Sequence, residues 1–170
     1  MKATDALLLI EEELEMKQRL DFLATTPNVV RAMLGLHKPL SQSGLEKGLL
    51  DLVYFRVSQI NGCAYCLDMH SKDLRAAGET EQRLYVLEAW RESPFYSDRE
   101  RAALAWAEAV TTLSDKNVPD DVYEQARAQF SEAELVNLTL AVIAINGWNR
   151  LNIAFRSTPG TYEVGMTFAA

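Results

Sequence analysis

The stretch LVYFRVSQINGCAYCLDMH, residues 52–70, decides the fold, because it reads in two ways. Leu52 to Val57 is rich in β-branched and aromatic residues. A strand there, followed by Cys63-x-x-Cys66, would give the strand-to-redox-motif order of a thioredoxin-like sheet. The wider pattern favours a helix. Leu45, Leu49, Leu52, Val53, Val57 and Ile60 recur at close to the helical period. Ser43 to Glu46, SGLE, has the form of a capping box that would open such a helix. Asn61-Gly62 then breaks it, and a second helix carries the cysteines as far as Gly78.

Outward from this segment the remaining pattern is helical. An amphipathic run through Leu7, Leu8, Ile10, Leu14 and Leu20 suggests an N-terminal helix. Thr26-Pro27 opens a helix through Val29, Val30, Met33 and Leu34, expected to stop near Pro39. Thr80 caps a helix expected to reach about Trp90. Ser97–Glu100 and Ser131–Glu134 are two further capping boxes, and Pro119 opens a helix between them. Leu135 to Phe155 reads as a buried central helix, and the tail from Thr158 as irregular. No convincing sheet can be assembled, so the fold class is all-α.

Composition narrows the function. The chain has 170 residues, 48% of them apolar, which suits one domain with a real core. Its net charge of −7, with no basic cluster, argues against a nucleic-acid or anionic-membrane partner. No apolar run approaches the roughly 20 residues that span a bilayer. The N-terminal run is followed at once by acids rather than by a cleavage site, so a cytoplasmic location is expected. In that compartment two cysteines three apart are more often reactive than structural.

On a helix, Cys63, Cys66 and His70 share one face, at i, i+3 and i+7. A neutral imidazole one turn from a thiol can take its proton, and the helix N-terminus favours the thiolate. One thiolate can then attack a peroxide to give a sulfenic acid, which the second condenses to a disulfide. A metal half-site is the rival reading: zinc usually wants four ligands, which here would require an intersubunit site. Inert buried cysteines are the other, disfavoured because Gly62 and the helix start should leave the thiols partly accessible. His37 reads as a capping or surface residue. Arg150 reads as part of a buried bridge, or else as the partner of an acid at a subunit contact. Trp90, Trp106 and the methionines read as core.

Taken as a unit, LDLVYFRVSQINGCAYCLDMHSKDLRAAG, Leu50 to Gly78, resembles the core motif of the alkyl hydroperoxidase D (AhpD)-like family, within the carboxymuconolactone decarboxylase-like superfamily. The elements are an acidic residue, Cys-x-x-Cys, a His four beyond the second Cys, and a later Gly. The likeness extends from about Arg19 to about Phe155 and includes INGWNRLN at 145–152. It implies a helical bundle with the cysteine pair at the N-terminus of a central helix. Residues 1–18 would be a helical extension and 19–170 the AhpD-like domain. It also implies a trimer or hexamer with dithiol peroxidase activity, and no cofactor. Cys66 would be peroxidatic, Cys63 resolving, and His70 part of a proton relay. A lipoyl-bearing protein or another dithiol would be the reductant and a hydroperoxide the substrate. Two positions depart from the pattern: Asp51 stands where the relay acid is usually Glu, and Tyr65 where some members carry a further His. The rival functions are a non-enzymatic thiol redox sensor or adaptor and a lactone decarboxylase. The latter does not require the cysteine pair.

Overall fold

A computed structural model describes residues 17–166. The elements are α1 (Phe22–Thr25), α2 (Pro27–Gly35), α3 (His37–Ser41), α4 (Lys47–Asn61), α5 (Ala64–Ala76), α6 (Glu81–Tyr85), α7 (Asp98–Thr112), α8 (Asp120–Gln129) and α9 (Glu132–Phe155). Two 3-10 turns, Leu87–Ala89 and Ser114–Lys116, flank α7. No strand occurs among the described residues.

The ambiguous segment is helical because it is the centre of the bundle. Leu49, Val53 and Val57 of α4 face one apolar cluster, with Ala103 and Ala107 of α7 and Leu138, Ala141 and Val142 of α9. Leu52 and Phe55 face a second cluster, with Leu74 of α5, Leu87, Trp90 and Leu104. A helix packed on more than one side needs large apolar residues around most of its circumference, which produces a strand-like composition. Of the positions expected to be core, Trp90 and Trp106 are buried, whereas Met33 and Met69 are half-buried and Met166 is exposed.

The capping boxes at Ser97/Glu100 and Ser131/Glu134 form with both reciprocal bonds. Thr80 accepts the Arg83 N–H. Ser43–Glu46 does not form one. Ser43 Oγ instead accepts from Leu45 N at 3.2 Å and donates to Leu40 O at 2.7 Å, and α4 begins at Lys47 without a side-chain cap. Glu46 is drawn away by Arg99 at 3.0 Å, which also holds Glu134 at 2.6 Å and lies over the Phe130 ring. A tertiary ion-pair network outcompetes the local cap.

Three further expectations shift. The helix from Pro27 ends at Gly35 rather than near Pro39, and Pro39 sits inside α3. Its ring cannot follow a continuous helix, since it would meet the carbonyl four residues back. The helix from Thr80 stops at Tyr85, and the 3-10 turn that follows lets both Leu87 and Trp90 enter the second cluster. Finally, α9 is not buried all round: Val136, Ile143 and Ile153 are exposed.

Residues 7–14 of the expected N-terminal helix lie outside the described residues. Residues 17–21 are non-helical and tie to the end of α9, where Arg19 N donates to Phe155 O at 2.9 Å. Residues 158–166 of the tail are irregular, as expected, yet anchored on α5. Gly160 N donates to Asp68 Oδ2 at 2.9 Å, Lys72 Nζ to Tyr162 O at 2.9 Å, and Tyr162 Oη to Asp73 Oδ1 at 2.8 Å. Among the described residues no single helix is long and apolar enough to cross a membrane.

Candidate active site

The site begins at the corner between α4 and α5. Gly62 has φ +68°, the left-handed conformation that reverses the chain after Asn61 and that a side chain would strain. Cys63 follows as the N-cap of α5, its sulfur accepting the Cys66 N–H at 3.4 Å. The two sulfurs are joined as a disulfide, with 5.4 Å between Cα atoms. The expected partial accessibility is not found: each cysteine is only 1% exposed, although Gly62 and Ala64 on either side of Cys63 open to solvent.

Cys66 is instead reached through a cavity of about 240 Å³. Its apolar walls include Phe22, Leu34, Tyr54, Met69, Ile145 and Trp148. Its polar groups include Cys66, His70 and Asn152, while Cys63 does not line it. The cysteine–histidine face expected from helical spacing is therefore present, with the first cysteine turned away. Phe22 and Leu23 of α1 and Tyr162 of the segment after α9 supply part of the wall.

His70 is buried, and its Nε2 has no hydrogen-bond partner among the described residues. Burial, helped by His37 and Lys47, pushes its pKa down from 6.5 to about 4, so it is neutral at neutral pH. The Tyr54 ring packs on it with 5.5 Å between centroids. Burial, and then the charge of Asp51, pushes the Tyr54 phenol up to about 12.

Asp51 forms a close ion pair with Lys47, one turn back on α4. No hydrogen bond joins it to His70 among the described residues, and it does not line the cavity. Burial raises its pKa, opposed by Lys47 and reinforced by Asp73. Tyr65 does line the cavity, and burial, with Asp68, raises its pKa.

His37 is not a surface or capping residue. It is a half-buried part of the cavity wall, its Nε2 accepts from Trp148 Nε1 at 3.2 Å, and its ring stands edge-on to Tyr54. Burial lowers its pKa. Arg150 is not part of a buried bridge: it is exposed and, among the described residues, bonds Asn146 Oδ1 at 2.7 Å.

The site also contains a group of residues to which the sequence reading gave no role. Asn146, Asn149 and Asn152 follow one another along α9 at i, i+3 and i+6, so they form one polar line on a largely apolar helix. Asn61 Nδ2 donates to Asn146 Oδ1 at 3.0 Å and to Asn149 Oδ1 at 2.8 Å. Asn149, fully buried, donates to Ser58 Oγ at 3.1 Å. Asn152 Nδ2 donates to Trp148 O at 2.9 Å and to Cys66 Sγ at 3.6 Å. The available signal was the spacing of three amides in a core helix, since buried amides require partners. Among the described residues no group of three or more His, Cys, Asp or Glu side chains is placed to hold a metal ion.

The carboxymuconolactone decarboxylase family model matches residues 27–109. The chain belongs to this superfamily, in its AhpD-like branch. It is 43% identical over 139 residues to the uncharacterised protein YdfG of Bacillus subtilis, covering 82% of this chain and 95% of that one. A crystal structure from Agrobacterium tumefaciens, of a protein of unknown function linked by its name to the antioxidant defence protein AhpD, superposes with a TM-score of 0.81. It is 42% identical and covers 86% of this chain and 100% of that one. The alkyl hydroperoxide reductase AhpD of Mycobacteroides abscessus is 50% identical over 46 residues, 27% of this chain and 25% of that protein.

Proposed function

We propose that the protein is a dithiol peroxidase that reduces organic hydroperoxides through Cys66 and Cys63. One observation carries this reading: of the cysteine pair only Cys66 lines the cavity, beside a neutral His70 whose Nε2 has no partner among the described residues. The relationship to proteins named for AhpD supports it.

In the proposed cycle the reduced Cys66 thiolate bonds to the terminal peroxide oxygen and the O–O bond breaks. The alkoxide takes the proton that the thiol had given up and leaves as an alcohol. Cys66 is then a sulfenic acid. The Cys63 sulfur attacks it, and hydroxide departs with the Cys63 proton as water. The resulting disulfide is the state seen here. An external dithiol restores the thiols by exchange and is itself oxidised to a disulfide.

The protonation energetics define what His70 does in this scheme. An ordinary thiol titrates near 8.5 and this imidazole near 4, so parking the thiol proton on His70 would cost roughly 6 kcal/mol. His70 therefore hydrogen-bonds the peroxide and passes a proton during O–O cleavage, rather than storing one in the resting enzyme. Asp51, held by Lys47 beside Tyr54, acts on this relay through the local field. With both cysteines 1% exposed, a slender dithiol arm such as a lipoyl group suits the cavity better than a folded protein dithiol. This also disfavours an adaptor that exchanges directly with bulky partners. The exposed Val136, Ile143 and Ile153 on α9 support self-association into a trimer or hexamer.

The test is peroxide consumption by purified protein with an alkyl hydroperoxide and dihydrolipoamide. Turnover well above the dithiol alone, lost in Cys66→Ser, is expected. Consumption no faster than the dithiol alone, or unchanged in Cys66→Ser, refutes the proposal.

A further inference from the structure

We propose that Asn152 is a catalytic residue whose side-chain amide holds the Cys66 thiolate and makes it the reactive sulfur. This deepens the peroxidase reading and rests on it, although its evidence and its test concern the thiol alone.

The need for such a donor follows from the surroundings. A buried thiol resists ionisation, because burial disfavours the charged form. Reactive cysteines usually overcome this with a neighbouring cation. Among the described residues no Lys or Arg side chain lines the cavity, and His70 is uncharged at neutral pH. The N-terminal turn of α5 offers amide protons, but the Cys66 N–H points to the Cys63 sulfur. The side-chain donor directed at Cys66 Sγ is the amide of Asn152, at 3.6 Å, a normal length for a bond to sulfur.

The orientation of that amide is fixed by its other contact. The same nitrogen lies 2.9 Å from the carbonyl oxygen of Trp148, which can only accept. One N–H therefore goes to the carbonyl and the second is available to the sulfur. A flipped amide would set two acceptors against each other.

The position of the amide is fixed as well. Asn152 is 7% exposed and stands at the end of the asparagine line. Asn61 ties Asn146 and Asn149 to the last turn of α4, and Asn149 ties the same turn through Ser58. That turn leads through Gly62 directly into Cys63. The line thus holds α9 in register with the cysteine corner, and the donor meets the charge as it forms without reorganising. It also distinguishes the two sulfurs: Cys63 is served by a backbone N–H away from the cavity, Cys66 by a side-chain amide at its wall.

The test uses the full chain with Cys63→Ser, so that Cys66 is the one thiol, and follows its alkylation by iodoacetamide against pH. Asn152→Ala removes the donor. Asn152→Asp keeps the shape but puts a carboxylate against the sulfur. The midpoint should rise by about one pH unit in Asn152→Ala, a roughly tenfold loss of thiolate near neutrality, and further in Asn152→Asp. Far-UV circular dichroism checks folding in both; each variant decides alone if the other does not fold. A merely structural asparagine would leave the midpoint of a folded variant unmoved, and that result overturns the assignment. A shifted midpoint in a protein that consumes no peroxide upholds the role of Asn152 at the thiol and sinks the peroxidase reading alone. An unmoved midpoint in an active peroxidase does the reverse.

Discussion

Lowering the pH should unfold this protein partly through His70. Its imidazole titrates near 4 in the folded chain, against 6.5 when unperturbed. Between these values the unfolded chain binds a proton that the folded chain refuses, so stability falls as the pH falls through that window. The contribution is intact above about pH 6.5 and fully lost below about pH 4. From about pH 7 to about pH 4.5 the two values give a loss of roughly 2.5 kcal/mol from this one side chain. The half-buried His37, whose pKa burial also lowers, adds in the same direction. Carboxylates titrate in the same range, so the assay must subtract them. Urea denaturation of the wild type and of His70→Leu at both pH values does so, because everything but His70 is shared. The wild type should lose roughly 2.5 kcal/mol more than the variant, a substantial fraction of a typical domain's stability. Equal losses in the two proteins would show that His70 is not held neutral by its surroundings. The argument against its storing the thiol proton would then fail.

Two other perturbations separate strong from weak contacts in the bundle. Glu108 accepts from Arg56 Nε at 2.8 Å, Trp90 Nε1 at 2.9 Å and Arg91 Nη1 at 2.6 Å, so Glu108→Gln should cost about 2–3 kcal/mol in urea denaturation by leaving Arg56 without its counter-charge. Arg91 is 59% exposed, and Arg91→Ala should cost less than about 1 kcal/mol in the same assay; equal costs would contradict this division. At Gly62 an added Cβ meets nothing within 4 Å, so Gly62→Ala should cost about 1 kcal/mol through backbone strain alone and lower the thermal midpoint by roughly 3 °C. An unchanged midpoint would mean that the corner readily adopts another conformation.

What was legible in the sequence was what neighbours along the chain decide. The capping boxes at Ser97 and Ser131 need only residues three apart, and both form. The break at Asn61-Gly62 needs only a glycine that tolerates positive φ. The common face of Cys66 and His70 follows from helical pitch. What was not legible depends on partners distant in sequence. Ser43–Glu46 has the form of a cap, but Arg99 competes for its glutamate from across the bundle. His37 joins the site because Trp148, more than a hundred residues later, donates to it. Cys66 is more buried than the helix start suggests because Asn152 of α9 stands against it and Phe22 and Tyr162, far away in sequence, wall the cavity beside it. Asp51 is the local exception: Lys47 stands one turn back on the same helix, an i, i+4 pair open to sequence reading, and it engages the residue that the resemblance assigns to the relay.

The C-terminal segment that crosses α5 has a consequence for how such a cavity can be retuned. Tyr162 reaches the wall on a stretch without regular structure, held by bonds to Asp68, Lys72 and Asp73. Those three residues share a helix with Cys66 but belong to neither apolar cluster. The rim of the site and the interior of the bundle are thus separate modules meeting on one helix. The size of the opening can be altered by editing the segment around Tyr162, while the bundle that positions Cys66 and His70 keeps its packing intact.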